Sequence, residues 1–333
     1  MSASSPRNDM PAPKVSDAEF IELWKTLRSA SKISKTIGID VSSVHQRRRR
    51  IEQTHKIQLV ASDQSRSKNY AHLQTAHIHA ARHQLGIENG TVIVFSDAHF
   101  WPGIRTTAFK GLLWAIREFK PKAVINNGDA FDGASISRYP RIGWDTKPSI
   151  IQELKACEAS LGEIEEDAGR AKLIWTLGNH DSRFENRLAA NAAEFEGVKG
   201  FSLKDHFPAW TSCWACWPTE DVVVKHRYKG GIHATHNNTV NSGKTIVTGH
   251  LHSLKVTPFA DYTGNRFGVD TGTLANPTGP QFVDYLEDNP TNWRSGFAIL
   301  TFFNSQLLWP ELVHDFGNGC VEFRGEVIDV SEL

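Results

Sequence analysis

The chain has 333 residues, of which 40% are hydrophobic and 22% are charged, so it can bury a full α/β core and still carry a further module. Its 4 cysteines are too few for a disulfide framework, and no apolar run reaches the roughly 18 residues of a membrane span. The net charge is zero, but residues 1–90 hold 14 Lys and Arg against 8 Asp and Glu, a net of +6 that the remainder balances. We therefore expect a protein of a reducing, cytoplasmic setting that carries a basic arm and has no membrane partner.

Residues 1–15 are rich in Ser, Pro and Ala and are expected to be a disordered leader. A small all-α module is predicted over residues 16–56. Its first helix starts at Asp17 as N-cap, and apolar side chains recur on one face of it. A second helix, a tight turn at Gly38 and a third helix capped by Asp40 follow. Residues 57–90 are predicted to be a linker that is partly helical near Tyr70 to His83.

The segment from Ser31 to Arg50 resembles the helix-turn-helix of small bacterial and phage DNA-binding proteins. The resemblance implies a nucleic-acid partner, most simply DNA. The side chains expected to face it, with the arginines largely on phosphates, are Ser42, Ser43, His45, Arg47, Arg48, Arg49 and Arg50. The alternative is a helical oligomerisation module whose basic run is only solvated, and the oligomeric state stays open.

Residues 91–333 are predicted to form an α/β domain in which apolar strands alternate with amphipathic helices. Helices are expected from Arg105 to Phe119 and from Ser149 to Ala168. Later stretches between Val256 and Trp309 suggest a second, more antiparallel sheet. The long insert Asn276–Trp293 has the character of a functional lid.

Polar residues of metal-ligand type follow five of the apolar strands. Each motif alone is a weak signal, but five in this order are not coincidental. In chain order the motifs are Asp97-Ala-His99, Gly128-Asp129-Ala-Phe-Asp132, Gly178-Asn179-His180-Asp181, a lone histidine, and Gly249-His250-Leu-His252. Mixed oxygen and nitrogen ligands of this kind suit two metal ions that clamp a phosphate and activate water. Mn²⁺ is the expected metal, with Fe or Zn²⁺ as alternatives.

This order of motifs resembles the calcineurin-like metallophosphoesterase superfamily over about residues 91–275, and its phage-type members more than protein phosphatases. The resemblance implies two mixed β-sheets packed as a sandwich and flanked by helices. It also implies a role for each matching residue. The first metal would be bound by Asp97, His99 and His252, the second by Asn179, His250 and the lone histidine, and Asp129 would bridge the two.

In the same resemblance, His180 is the general acid for the leaving oxygen and Asp181 orients it. Asp132 would tune the metal ligands by hydrogen bonding. Arg183 either binds a substrate phosphate or makes a structural ion pair. For the lone histidine we favour His236 over His233, because it stands at the end of a predicted strand that starts at Gly231.

Three functions remain open at this stage. The first is a two-metal phosphodiesterase or nuclease on DNA, which would act in the host cytoplasm if the chain is phage-encoded. The second is a phosphomonoesterase or small-nucleotide phosphodiesterase whose N-terminal module only mediates assembly. The third is a DNA-binding regulator with a structural metal site.

Overall fold

The computed structural model describes residues 15–59, 79–138, 144, 146–286 and 289–333. The chain divides into two compact units, Met1–His77 and Ile78–Leu333. All but the last residue of the expected leader and most of the expected linker helix lie outside the described residues. Within the part of the chain that is described, no helix combines the length and apolar character needed to cross a membrane.

The first unit contains helices α1 (Asp17–Leu27), α2 (Ala30–Ile37) and α3 (Val41–His55). Ser16, not Asp17, caps α1, because its hydroxyl accepts the amide of Glu19 while the Glu19 carboxylate accepts the amide of Ser16. As predicted, a left-handed Gly38 ends α2 and Asp40 caps α3. The side chains at the centre of this unit are buried: Phe20, Trp24, Ile33, Val44 and Ile51.

The second unit alternates helices and strands. Its helices are α4 (Thr107–Phe119), α5 (Ile150–Ala168), α6 (Asp181–Asn191), α7 (Leu203–His206), α8 (Ala234–Ser242) and α9 (Val283–Leu286). Its strands are β1 (His83–Gln84), β2 (Gly90–Phe95), β3 (Ala123–Asn126), β4 (Lys172–Thr176), β5 (Thr211–Cys213), β6 (Cys216–Thr219), β7 (Val222–Val224), β8 (Thr245–Thr248), β9 (Lys255–Asp261), β10 (Gly264–Asp270), β11 (Gly296–Phe303), β12 (Gln306–Leu307), β13 (Glu311–Gly317), β14 (Cys320–Phe323) and β15 (Glu326–Asp329).

The strands form two mixed sheets. One has the order β15-β14-β13-β11-β2-β3-β4-β5, with β12 beside β11, and the other has the order β1-β6-β7-β8-β10-β9. Strands β2 to β5 run parallel to one another, whereas β11 pairs antiparallel with β2. In the second sheet β7, β8 and β10 are parallel. In each sheet, the carboxyl ends of the parallel strands lie at one edge.

Strand β2 is buried on both faces because successive side chains point to opposite sides of a sheet. Val92 and Val94 join the core between the two sheets, together with residues of β7, β8 and β10. Ile93 and Phe95 join a second core, which α4 and α5 close on the other face. The unit is therefore the expected sandwich of two mixed sheets flanked by helices.

Two predicted elements are wrong. Residues 231–236, predicted as a strand, form a turn and the start of α8. Burial along α8 follows a helical pattern, with Ala234, Thr235, Asn238 and Thr239 inside. The helix packs so closely on β10 that a side chain at Gly268 would strike the Thr235 carbonyl oxygen. In addition, the strands after residue 255 do not form one sheet: β9 and β10 belong to the smaller sheet, while β11 and β12 extend the larger.

Candidate metal centre and active site

The candidate ligands converge because the chain leaves neighbouring parallel strands at one edge of the larger sheet. After β2 and β3 end, the two segments remain hydrogen-bonded, with the amide of Asp97 on Gly128 O at 2.8 Å and that of His99 on Asp129 O at 2.9 Å. These bonds hold both strand-end motifs side by side. The motif that follows β8 meets them from the smaller sheet, where the amide of His250 donates to Asp97 Oδ2 at 2.8 Å.

Five of the candidate ligands adopt left-handed backbone conformations. Their φ values are 51° at Asp97, 39° at His99, 55° at Asp129, 71° at His250 and 55° at His252. Each such conformation costs a non-glycine residue on the order of 1–3 kcal/mol, and it persists where the surroundings enforce it. Strain concentrated in one group of polar side chains is typical of functional sites.

The first ligand group consists of Asp97, His99 and His252, each of which offers one atom within 4.8 Å of the others. Nε2 of His252 lies 3.0 Å from Oδ1 of Asp97. Burial raises the pKa of Asp97, but the charges of His252 and His226 outweigh it and lower that pKa to about 2. Asp97 is thus an anionic carboxylate in a buried position, as a metal ligand must be.

The second ligand group consists of Asp129, His226 and His250, again with one atom each within 4.8 Å. His226 donates Nδ1 to the carbonyl of Asn127 at 2.8 Å. Its Nε2 pairs with Asp129 Oδ2 at 3.0 Å but outside hydrogen-bond geometry, so this buried nitrogen has no hydrogen-bond partner among the described residues. Burial lowers the pKa of His226, yet the charges of Asp129 and Asp97 raise it to about 10.

His226 takes the position for which His236 was predicted. His236 lies on the exposed face of α8 with its ring against Phe259, and His233 precedes the same helix. The prediction failed because residues 231–236 are not a strand. A signal for His226 is present in the sequence, since it stands two residues after the apolar strand β7.

Asn179 lies at the end of β4, as predicted, and its Oδ1 is buried without a hydrogen-bond partner in the described chain. The glycine before it, Gly178, has a packing role: a Cβ there would lie 1.9 Å from Asp129 Oδ1. A Cβ at Gly249 would likewise lie 2.5 Å from Asp97 Oδ2. The glycines of the motifs therefore leave room for the ligand carboxylates, in addition to allowing the turns.

Asp132 joins His99 to His180. Its Oδ1 lies 2.8 Å from Nδ1 of each ring, so the two histidines share one carboxylate oxygen. Burial lowers the pKa of His180, but the charge of Asp129 and the bond to Asp132 raise it above the usual value. Arg183 completes the arrangement, with Nη1 on the Asp132 carbonyl at 2.9 Å and Nη2 at 3.1 Å from His180 Nε2.

The resemblance implies that Asp181 orients His180, but the structure gives Asp181 other partners. Its carboxylate instead accepts the amides of Asp129 and Gly178, both at 2.8 Å, and the indole of Trp175 at 3.0 Å. Asp181 therefore positions the turns after β3 and β4 that carry the ligands. Burial and the charge of Asp129 raise its pKa to about 6.

Two aromatic residues of the insert Asn276–Trp293 lie against the first ligand group. Phe282 is buried, and its ring lies 5.1 Å from that of His99 and 5.4 Å from that of His252. Trp293 covers His252 at a ring distance of 4.5 Å. These contacts hold the imidazole rings in place and exclude water from that side.

A cavity of about 630 Å³ opens beside the second ligand group. Asn179, His180 and His250 reach its wall, and Arg183 lies there as well. The ring of His180 and the second ligand group thus border the same space. A phosphate ester in that cavity would be in contact with both.

The residues of both groups fit a pair of divalent metal ions. The chemistry of the set, with two carboxylates, an amide oxygen and four imidazoles, suits Mn²⁺, Fe or Zn²⁺. Nε2 of His226 and Oδ1 of Asn179 are buried without a hydrogen bond in the described chain, which is costly unless a ligand satisfies them. Whether Asp129 bridges the two metals stays a prediction.

The predicted nucleic-acid residues lie on α3, but several are already engaged. Arg47 was predicted to face outward toward nucleic acid. Instead its guanidinium stacks on Phe20, and its Nη2 lies 2.9 Å from Asp17 Oδ1. The other engaged residues are Arg50 on Asp17, Arg48 on Glu52, and Ser42 and Ser43 on Asp40. His45 and Arg49 are exposed and make no side-chain hydrogen bond or ion pair within the described chain.

Comparisons with known proteins agree with the geometry of the second unit. The family model described as calcineurin-like phosphoesterase matches residues 90–263, just over half of the chain. The gene 54 protein of Mycobacterium phage L5 is 26% identical over 266 residues, which cover 72% of this chain and 98% of that protein.

Similar solved structures include Vps29 of Entamoeba histolytica in complex with zinc, at 13% identity and a TM-score of 0.39, covering 72% of this chain and 99% of that one. An archaeal phosphodiesterase follows, at 15% identity and a TM-score of 0.35, covering 67% and 99%. YfcE, a phosphoesterase of E. coli, has 13% identity and a TM-score of 0.31, covering 72% and 99%.

Proposed function

Because the chain belongs to the calcineurin-like phosphoesterase family and is a metal-dependent phosphoesterase, we propose that it hydrolyses phosphodiester bonds in DNA with two divalent metal ions. One observation carries this proposal. Two metal-ligand groups, one around Asp97 and one around Asp129, are joined by hydrogen bonds between their motifs, and the second group borders a cavity that His180 and Arg183 also line.

The proposed metals are Mn²⁺ ions, because the ligand set mixes carboxylate oxygens with imidazole nitrogens. Asp97, His99 and His252 would hold one ion, and Asp129, Asn179, His226 and His250 the other. Two bound ions would supply an activated water and stabilise the leaving oxygen. The strained backbone at five of these residues favours a site that is formed before metal binds.

In this proposal His180 gives its Nε2 proton to the leaving oxygen. Its Nδ1 is held by Asp132, which fixes the ring so that Nε2 lies 3.1 Å from Nη2 of Arg183, and both residues line the cavity. The negative charges of Asp129 and Asp132 favour the protonated ring, which is the form that a general acid needs. In this structure Nε2 accepts from the Arg183 guanidinium, which can only donate. A substrate phosphate that binds Arg183 would free Nε2 to carry the proton.

The preference for DNA rests on the first unit. Residues 1–90 carry a net charge of +6, and α3 exposes His45 and Arg49 without intramolecular partners in the described chain. We propose that this surface binds the phosphate backbone and thereby brings DNA to the second unit. The phage origin of the gene 54 relative is consistent with action in a host cytoplasm.

A substrate panel in Mn²⁺ tests the hydrolysis. Single- and double-stranded DNA, RNA, a cyclic nucleotide, a chromogenic phosphodiester and a phosphomonoester should be compared at equal concentration. We expect DNA and the chromogenic diester to be hydrolysed, and His180→Ala to lower turnover at least about 100-fold with metal content unchanged. His236→Ala is the matched control. Hydrolysis of the phosphomonoester alone would favour a phosphomonoesterase. Unchanged turnover in His180→Ala would remove that residue from the mechanism.

The DNA-binding role of α3 is tested in the full chain with Arg49→Glu. We expect weaker binding to a labelled duplex and a smaller dependence of affinity on salt, because one phosphate contact is lost. Lys155→Glu, an equal charge change on the exposed face of α5, is the control. Identical binding in both variants would leave the first unit with an assembly role.

A further inference from the structure

A second cavity continues the first one past the metal ligands. It has a volume of about 400 Å³ and is lined in part by Lys225, Tyr228 and Lys229. Arg227 and His250 line both cavities. The two spaces therefore meet at His250, and a ligand longer than one phosphate ester can extend from there in both directions.

The charges along this path have one sign. The first cavity presents Arg183 and Arg187, the second presents Lys225 and Lys229, and Arg227 lies where they meet. Among the described residues that line the two cavities there is no Asp or Glu. Cationic walls without counter-charges focus a positive potential on the cleft and attract polyanions.

The protein itself leaves part of this charge uncompensated. The guanidinium groups of Arg187 and Arg227 make no hydrogen bond or ion pair within the described chain. An anionic ligand beside these cations would supply the counter-charge that the protein does not.

Tyr228 adds an aromatic surface to the second cavity. Its side chain is 44% exposed, and Nζ of Lys225 lies 5.3 Å from the centre of the ring. A cationic groove combined with an exposed aromatic ring is the arrangement by which proteins bind single-stranded nucleic acid without sequence preference.

We propose that the substrate is a single strand of nucleic acid that lies in both cavities and crosses the metal centre at His250. Arg187 binds a backbone phosphate on one side of the scissile bond. Lys225 and Lys229 bind phosphates on the other side, and a base stacks on Tyr228. This inference rests on the proposed phosphodiesterase function and names the form of its substrate.

The first test measures binding in the absence of turnover. A labelled 12-nucleotide single strand is titrated with the full chain in a chelating buffer, and the dissociation constant is determined at several salt concentrations. Arg187→Ala and Lys229→Ala should each weaken binding several-fold and reduce the salt slope by about 0.7, the value for one phosphate contact on a single strand. Arg170→Ala, which removes an exposed cation from the loop after α5, should match the wild type.

Tyr228 provides a paired test of stacking. Tyr228→Ala should weaken binding at least about fivefold, whereas Tyr228→Phe, which keeps the ring, should bind as the wild type does. Equal binding of all the variants would overturn the inference. DNA and RNA strands are compared to show which sugar the path accepts.

The second test separates this inference from the proposed function. Turnover of the same single strand and of a chromogenic diester is measured in Mn²⁺, and the ratio of the two kcat/KM values is compared. That ratio should fall about tenfold in the Arg187→Ala/Lys229→Ala double variant through a higher KM for the strand. An unchanged ratio would contradict the two-cavity path. If the wild type hydrolyses neither substrate, the proposed function fails, while the binding results still decide the path.

Discussion

Nε2 of His226 lies 3.0 Å from Oδ2 of Asp129, at the point where the smaller sheet meets the strand ends of the larger one. The other ring nitrogen donates to the Asn127 carbonyl, so the ring is held with Nε2 toward the carboxylate. In metal sites, a hydrogen bond from the ring nitrogen that does not bind the metal fixes the orientation of the histidine. The pair Asp129 and His226 is therefore the core of the second ligand group.

The first prediction concerns this pair. His226→Ala should lower the bound metal from two equivalents to one, because it removes a buried nitrogen that faces Asp129. His236→Ala should retain both equivalents, since His236 lies on the exposed face of α8. Metal content per chain, measured by mass spectrometry after dialysis, decides between them. The reverse pattern would restore His236 as the ligand.

The second prediction concerns Asp132, a positioning residue between His99 and His180. Asp132→Asn keeps an oxygen that can accept both Nδ1 protons but removes the charge that favours protonated His180. We expect kcat to fall about 10- to 100-fold, the usual range for residues that support metal ligands, with a smaller effect on KM. Asp132→Ala should also weaken metal binding. Full activity in both variants would show that neither histidine depends on Asp132.

The third prediction concerns the close approach at Gly178. Gly178→Ala would place a methyl group 1.9 Å from Asp129 Oδ1 and 2.7 Å from the Asp129 amide nitrogen. Because backbone must move, we expect a loss of unfolding free energy of about 1–3 kcal/mol together with lost metal binding. Gly162→Ala is the control, since a methyl group in this helical position meets no atom within 4 Å and should stabilise α5 by about 1 kcal/mol. Both are measured by denaturant unfolding.

The fourth prediction concerns the pH dependence of stability. Glu153 is fully buried and accepts the amides of Gly133 and Ala134 at 2.6 and 3.0 Å, and burial together with the charge of Asp132 raises its pKa from 4.5 to about 7. Between these values the folded state keeps a proton that the unfolded chain releases, so stability falls as the pH rises from about 5 to 8. The loss attributable to this group is at most about 3 kcal/mol.

Glu153→Gln removes that proton exchange and should reduce the loss of stability between pH 5 and pH 8 in the metal-free protein. Unfolding free energies at pH 5 and pH 8 measure it for both forms. A variant that loses as much stability as the wild type over this range would assign the effect to another group.

The sequence was most informative for strands that are apolar runs ending in polar residues and for helices with a clear amphipathic pattern. The strands that end before Asp97, Asp129 and Asn179 were predicted correctly, because buried parallel strands are continuous apolar runs with polar residues at their ends. Since neighbouring parallel strands share an edge, their terminal residues had to converge. The helices that end at Phe119 and Ala168 were found from their amphipathic pattern.

The sequence failed where the outcome depended on tertiary contacts. Residues 231–236 alternate weakly as a strand would, but close packing against Gly268 selects a helix, and the choice of His236 was wrong with it. The partners of Asp181 come from two other turns and leave no local signal. Likewise, Arg47 looks like part of a basic run, although Phe20 and Asp17 hold it inside the first unit.

The central claim is that two metal ions, held by the groups around Asp97 and Asp129, make this chain a phosphodiesterase. The most direct measurement is a titration of Mn²⁺ into chelator-treated protein, with bound metal and hydrolysis of single-stranded DNA recorded in the same samples. We predict that two equivalents bind and that turnover rises with the second equivalent. Binding of one equivalent or fewer, or saturation with two and no hydrolysis of the strand, would contradict the account.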